Sequence, residues 1–236
     1  MKIKVLFDKD ALNSELKTGW GVSFLIDDKV LFDTGEKGEW LLGNMKKLGV
    51  DLDKIEAVVI SHDHWDHKDG VWDLLKQRPG LKVYGCPRFG KKFKQKVKSS
   101  GGKLIEVDKF TKITDDIYTT GEILGRYILR PLPEQVLAVK TQKGIVVLTG
   151  CAHPGIIKII EKIKENLPER IYLVLGGFHL MEKDEPAVKE IISRFRQLGI
   201  QRAGPTHCTG ERAIELFRDE YTSNFMPIKV GRVIEV

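Results

Sequence analysis

Three histidines and an aspartate, His62, His64, Asp66 and His67, fall within six consecutive residues of this chain, in the run Ser61-His-Asp-His-Trp-Asp-His67. The remaining three histidines stand in short phrases of their own. His153 lies in Gly150-Cys-Ala-His-Pro-Gly155, His179 in Gly176-Gly-Phe-His179 and His207 in Pro205-Thr-His-Cys208. Histidine used as filler scatters over helix faces and surface loops. Imidazole gathered at the ends of apolar runs suits a metal site, because the neutral ring is the commonest borderline-soft ligand. In an extended His62-Asp63-His64 segment both imidazoles point to one side, since side chains alternate. A helix starting near Asp66 turns Asp66 and His67 back toward them. Helix capping accounts for one acid here but not for three histidines.

The elements that must carry these groups are legible as alternating apolar and amphipathic stretches. The pattern predicts strands over 2–7, 21–26, 29–33, 57–60, 82–85, 104–107, 136–141, 144–149, 171–175 and 228–234. It predicts helices over 38–48, 68–77, 88–99, 155–166, 185–198 and 209–219. Gly49, Gly80 and Gly199 fit helix ends, and the proline after His153 fits a first helical turn. The segment 109–135, with Gly121, Gly125, Pro131 and Pro133, has the weakest periodicity and reads as irregular, a candidate lining of the site. A faint repeat links a hairpin ending Val30-Leu-Phe-Asp-Thr-Gly35 with one ending Val146-Val-Leu-Thr-Gly150. Each leads through a helix to a strand and a histidine cluster. The fold class expected is α/β, a four-layered αββα sandwich of two mixed sheets with outer helices, as one domain over 1–236.

Composition narrows the function classes. With 236 residues, 42% hydrophobic and 31% charged, the chain is globular and large enough for a substantial core. No run reaches membrane-spanning length, and the N-terminus reads as a first strand, so the expected location is cytoplasmic with no membrane partner. Three cysteines without Cys-x-x-Cys spacing argue against a disulfide framework or cysteine cage. Cys151 and Cys208 stand beside His153 and His207, either as small buried hydrophobes or in touch with a metal. A net charge of +6 allows a small anionic substrate without demanding one. Its densest basic run, Arg88 to Lys98, reads as a solvated helix face rather than a nucleic-acid surface, with Phe89 and Phe93 four apart on the buried side. Abundant Lys and Glu with few Asn and Gln fit a thermophilic source.

The run His62-x-His64-x-Asp66-His67 resembles the signature of the metallo-β-lactamase superfamily. So do Phe32-Asp33-Thr34-Gly35 upstream and His153 and His207 downstream, in the expected order along the chain. The resemblance implies one metal held by His62, His64 and His153 and a second by Asp66, His67 and His207, with Asp33 steadying the ligand loop from behind. It implies zinc, one or two ions, or iron or manganese by availability. The pattern departs at Leu175-Gly176-Gly177-Phe178-His179, where the family often places a metal-bridging aspartate and this chain has no acid. A lone bridging hydroxide, participation by His179 and a weak or absent second metal are the alternatives there. With the six other ligands assigned, His179 reads as a substrate contact or as a group supporting the ligands from behind rather than as a metal ligand. The phrases around His153, His179 and His207 are similar to a narrower branch, the dihydropterin–ribofuranosylaminobenzene-phosphate synthases and their hydrolase relatives.

The activity this implies is hydrolysis of a small anionic ester or phosphoester by a metal-bound hydroxide, with Asp66 and His179 as catalytic residues. The alternatives are a pterin-coupling transferase releasing diphosphate and, third, an RNA-processing nuclease. Trp20, Trp65, Phe178, Arg126 and Arg130 are candidate contacts for a pterin and its diphosphate. No insertion in the chain marks an RNA-binding arm.

Overall fold

The computed structural model describes every residue from Met1 to Val236, and these divide into two units: Met1–Asp108 with Lys229–Val236, and Lys109–Ile228. In the first unit β1 (Lys2–Phe7), β2 (Ser23–Ile26) and β3 (Val30–Phe32) run antiparallel, and β4 (Ala57–Val59), β5 (Lys82–Gly85) and β6 (Lys103–Glu106) continue from β3 in parallel. The C-terminal strand Val233–Glu235 closes the other edge against β1. Leu6, Leu25, Leu31, Val58 and Val83 face the helices α1 (Gly38–Lys47), α3 (Val71–Gln77) and α4 (Lys91–Ser99), packing with Leu41, Leu74 and Phe93. The intervening Ile3, Val5, Phe24, Phe32 and Val59 are also fully buried. Burial on both faces explains why these strands read as continuous apolar runs. The short α2 (Trp65–Lys68) carries Asp66 and His67, with His64 as its N-cap and His62 just ahead.

The second unit repeats the plan. β7 (Thr111–Lys112), β8 (Ile117–Thr119), β11 (Leu137–Thr141) and β12 (Gly144–Thr149) pair antiparallel, and β13 (Ile171–Gly177) and β14 (Arg202–Thr206) extend from β12 in parallel. A separate ribbon pairs β9 (Ile123–Tyr127) with β10 (Arg130–Glu134). The helices α5 (Ile156–Asn166), α6 (Glu185–Gln197) and α7 (Glu211–Tyr221) pack Ile159, Ile160, Val188, Phe195 and Phe217 with Val147, Val174 and Ala203 of the sheet. The expectation of two mixed sheets with flanking helices therefore holds, and so does the internal repeat: an antiparallel hairpin feeding parallel strands, once in each unit.

Several local expectations need correction. The segment 109–135 is not irregular; it holds four strands, β7 to β10. β14 is a strand the pattern missed, because Gly204 and Pro205 read as breakers. As the edge strand of its sheet it tolerates a proline. The predicted helix 68–77 is two pieces, broken at Gly70 between α2 and α3. Pro154 lies ahead of α5, whose N-cap is Gly155, rather than in its first turn. On α4 Phe93 and Val97 are buried while the lysines face outward, as the solvated-face reading requires. No helix is long and apolar enough to cross a membrane.

Candidate functional site

Every predicted site residue sits just past the C-terminal end of a strand that takes part in parallel pairing. In the first sheet Asp33 follows β3 and His62 to His67 follow β4; in the second, His153, His179 and His207 follow β12, β13 and β14. Parallel neighbours end at one edge, so within each unit the fold gathers these residues at a single sheet edge. The turns there are strained. Asp33 (φ 54°), Ala152 (φ 63°), His179 (φ 53°) and His207 (φ 52°) all occupy left-handed backbone. That conformation costs a non-glycine residue of order 1 kcal/mol or more. Four of the chain's eight non-glycine residues in this conformation fall in these loops; the others are Asp27, Asp28, Ile128 and Thr222.

In the first unit one carboxylate organises the cluster. Asp33, fully buried, accepts from the Ser61 backbone N–H through Oδ1 at 2.7 Å. Its Oδ2 accepts from Ser61 Oγ at 2.7 Å and faces His67 Nδ1 at 2.7 Å. With its own proton directed to Asp33, Ser61 Oγ accepts from His62 Nδ1, 2.9 Å away. Asp33 thus fixes His67 directly and His62 through Ser61, each by its Nδ1, so that Nε2 is the atom turned to a ligand. His67 Nε2 lies 3.4 Å from Asp66 Oδ2. A tetrahedral ion with bonds of about 2.0–2.2 Å spans an edge of about 3.3–3.6 Å, so this pair is already spaced for one metal. The His62 ring lies 4.7 Å from that of His64 and 4.2 Å from that of His67. Gly21 is required beside this loop: its φ is +106°, and a Cβ there would meet the Asp66 carbonyl at 1.8 Å.

The electrostatics divide the histidines. Burial lowers the His64 pKa against the pull of Asp66, favouring the neutral ring a metal requires. Burial also disfavours a charged His67, but the Asp33 charge and hydrogen bond, with help from Asp66, override it and raise the pKa to about 10. Without metal, the Asp33–His67 ion pair therefore stabilises the fold fully below the ordinary value of 6.5 and fades as pH rises through about 10. A metal at Nε2 must displace that proton. Affinity should then climb by up to about tenfold per pH unit across neutral pH, with one proton released by His67. Competition against a chromophoric chelator at several pH values checks this. An affinity independent of pH, after correction for the chelator, would remove His67 from the ligand set.

In the second unit the organising carboxylate is Glu134, at the end of β10 and fully buried. It accepts from the backbone N–H groups of Cys151 (3.0 Å), Ala152 (2.8 Å) and His153 (2.7 Å). This clamp holds the left-handed turn that presents His153. The rings of His153 and His179 lie 4.3 Å apart, with Tyr127 of β9 at 5.6 Å from the first. Ligand atoms of Cys151, His153 and His179 come within 4.8 Å of one another, as do those of Cys151, His207 and Cys208. A hydrogen bond with Cys208 raises the His179 pKa against the effect of burial. The Cys208 thiol is pushed up by burial but brought well below its usual range by hydrogen bonds with Cys151 and His179 and by the neighbouring His207. His179 Nδ1 is a buried atom with no hydrogen-bond partner.

The structure thus brings Asp33, His62, His64, Asp66 and His67 together in one unit, and His153, His179 and His207 in the other. Sequence reasoning missed Ser61 and Glu134. Ser61 offers only its position ahead of the motif, and Glu134 is buried in a segment read as irregular. Of the candidate substrate contacts, Phe178 is excluded: it is 1% exposed, wedged between Phe195 and Phe217. Trp65, Trp20, Arg126 and Arg130 are exposed.

Comparison with known proteins agrees with this chemistry. Residues 21–181 match the family model of the metallo-beta-lactamase superfamily. A 7,8-dihydropterin-6-methyl-4-(beta-D-ribofuranosyl)-aminobenzene-5'-phosphate synthase of Methanocaldococcus jannaschii is 27% identical, covering 97% of this chain and 94% of that protein. A solved structure of a metal-dependent hydrolase of the beta-lactamase superfamily superposes with a TM-score of 0.85 at 31% identity, over 100% of this chain and 99% of that one. A metallo-beta-lactamase fold protein of Bacillus subtilis, 18% identical with a TM-score of 0.67, covers 99% of both chains and shares the fold.

Proposed function

This chain belongs to the metallo-beta-lactamase superfamily, and from that premise we propose that it is a metal-dependent hydrolase of a small anionic ester or phosphoester. The observation that carries the reading is the pair His67 Nε2 and Asp66 Oδ2, 3.4 Å apart with the far side of the imidazole tied to Asp33. That donor set suits zinc, and iron or manganese by availability. Carried over from the motif, His62, His64 and His153 hold one ion, and Asp66, His67 and His207 hold a second. This assignment rests on the order of the motifs along the chain. When bound, such an ion supplies a nucleophile at neutral pH and polarises the electrophile.

The protein's own groups do the rest. Asp66 binds and orients through its two oxygens. His179, hydrogen-bonded to Cys208, has Nδ1 left over for the substrate and a raised pKa that keeps a proton on the ring. It is suited to donate that proton to a leaving oxygen. His179→Ala is expected to leave metal content nearly unchanged while lowering turnover at least about tenfold, equivalent to roughly 1.4 kcal/mol in the barrier. Elemental analysis and kcat on the same preparation check both halves. Loss of a metal equivalent would make His179 a ligand instead, and unchanged kcat would make it a packing residue.

A second reading, a pterin-coupling transferase releasing diphosphate, is favoured by the 27% identity to the archaeal synthase over nearly the whole chain. Metal-loaded and chelator-treated protein incubated with aryl esters, phosphodiesters, lactones, and a pterin diphosphate with an aminobenzoate acceptor separates the two. Metal-dependent cleavage by water supports the hydrolase. A coupled pterin product with no hydrolysis of the other substrates replaces it with the transferase.

A further inference from the structure

The space beside Gly177 is already filled by sulfur. A Cβ built on Gly177 would lie 2.7 Å from Cys208 Sγ and 2.3 Å from the Gly150 carbonyl, so no side chain fits there without displacing both. The arrangement follows from the strands. Gly177 pairs with Thr206 across β13 and β14, and its N–H donates to Gly150 O at 3.1 Å. The two neighbouring strand ends therefore deliver Cys151 on one side and His207-Cys208 on the other. The turn that carries Cys208 is pinned. Thr209 Oγ1 donates to Thr206 O at 2.6 Å and accepts from Phe178 N at 3.0 Å, and Cys208 O accepts from Leu180 N at 3.2 Å. Cys208 Sγ itself lies 3.6 Å from Cys151 O. The two sulfurs and an imidazole nitrogen of His207 all come within 4.8 Å of one another, and all three residues are buried.

Buried cysteines that serve as small hydrophobes pack among apolar side chains, as Cys86 does in the first unit's core. Cys151 and Cys208 instead share their surroundings with imidazoles. We propose that Cys151, His207 and Cys208 form a thiolate–imidazole site for a borderline-soft divalent ion. This deepens the proposed function and rests on its assignment of His207 as a ligand: the metal on His207 carries sulfur. Zn–S bonds of about 2.3 Å and Zn–N bonds of about 2.0–2.1 Å at tetrahedral angles place donors about 3.5–3.8 Å apart, so from within 4.8 Å the three close by about 1.3 Å or less. Each thiol releases its proton to solvent as its sulfur lone pair binds the metal; nothing is oxidised. His179 continues to hydrogen-bond the Cys208 sulfur from outside, as groups around metal thiolates do. A nitrogen–sulfur set of this kind selects zinc, cobalt or ferrous iron over magnesium and calcium.

Zinc-edge X-ray absorption on the zinc-loaded wild-type protein tests this without any variant. A sulfur shell at about 2.3 Å is expected, where nitrogen and oxygen alone would place every scatterer at about 2.0–2.2 Å. Cobalt-substituted protein should add a near-ultraviolet sulfur-to-cobalt charge-transfer band. That band should weaken in Cys208→Ser and in Cys151→Ser and persist in Cys86→Ser. Bound metal with no sulfur shell and no such band overturns the thiolate site and leaves the hydrolase reading standing. Failure of the protein to take up zinc or cobalt at all overturns both.

Discussion

Asp33→Ala is expected to weaken metal binding by about 10–100-fold and to destabilise the metal-free fold by about 3–5 kcal/mol. Three polar groups converge on this one buried carboxylate: the Ser61 N–H, the Ser61 hydroxyl and His67 Nδ1. Removing it takes a buried partner from each of them: Ser61 Oγ keeps His62 Nδ1 and His67 keeps Asp66, but the shorter of the two His67 ion pairs is lost. It also releases the rings of His62 and His67 from the orientation that turns Nε2 to the metal. Asp33→Asn separates the two effects. Asparagine tolerates the left-handed backbone at this position and can still accept from Ser61 N. Its amide, however, sets a donor where two donors already arrive. The asparagine variant should therefore recover part of the stability while binding metal as poorly as the alanine variant. Chemical denaturation and chelator competition on the two variants measure this. Parental metal affinity in Asp33→Asn would show that the orientation of His62 and His67 does not depend on the carboxylate.

Glu134→Ala should cost about 3 kcal/mol or more of stability and most of the turnover, although Glu134 belongs to no motif. Its carboxylate accepts three backbone N–H bonds from Cys151, Ala152 and His153, and each buried donor left unsatisfied costs about 1–3 kcal/mol. The left-handed turn at Ala152 keeps the bond from Gly155 N to Ala152 O but loses all three that Glu134 accepts. Once it relaxes, His153 is no longer held at the end of β12. Glu134→Gln keeps one acceptor but directs an amide N–H at one of the three donors, so it should fall between alanine and parent. Denaturation midpoints together with amide hydrogen exchange at 151–153 report both effects. A Glu134→Ala protein with the parent's midpoint and slow exchange in that turn would show that the turn is held by something else.

Much of this was legible because metal ligands are few in type and must crowd together. The His62 to His67 run, its place after a short apolar strand, and the recurrence of a hairpin leading to a histidine cluster all followed from residue type and spacing. What stayed hidden were the groups that act at a distance in sequence. Glu134 reaches loop residues 17–19 positions away, from a ribbon disguised by Gly125, Pro131 and Pro133. Pro131 and Pro133 stand two apart, hence on one backbone edge, and a two-stranded ribbon can leave that edge unpaired. The edge strand β14 was hidden by its glycine and proline for the same reason. Ser61 is an ordinary residue whose role emerges only when Asp33 is seen 2.7 Å away. Cys208 filling the space at Gly177 depends on three strand ends meeting, which no local pattern records.

Transition-metal content of the purified protein tests the account most directly. Expressed with zinc, iron and manganese supplied, desalted, and analysed by elemental mass spectrometry, the protein should carry at least about one equivalent of one of these metals per chain. His62→Ala and His67→Ala should each lower that figure, while a substitution of the exposed Trp65 should not. A protein free of transition metal under those conditions, with its fold intact by circular dichroism, would contradict the assignment of these histidines and the hydrolase built on it.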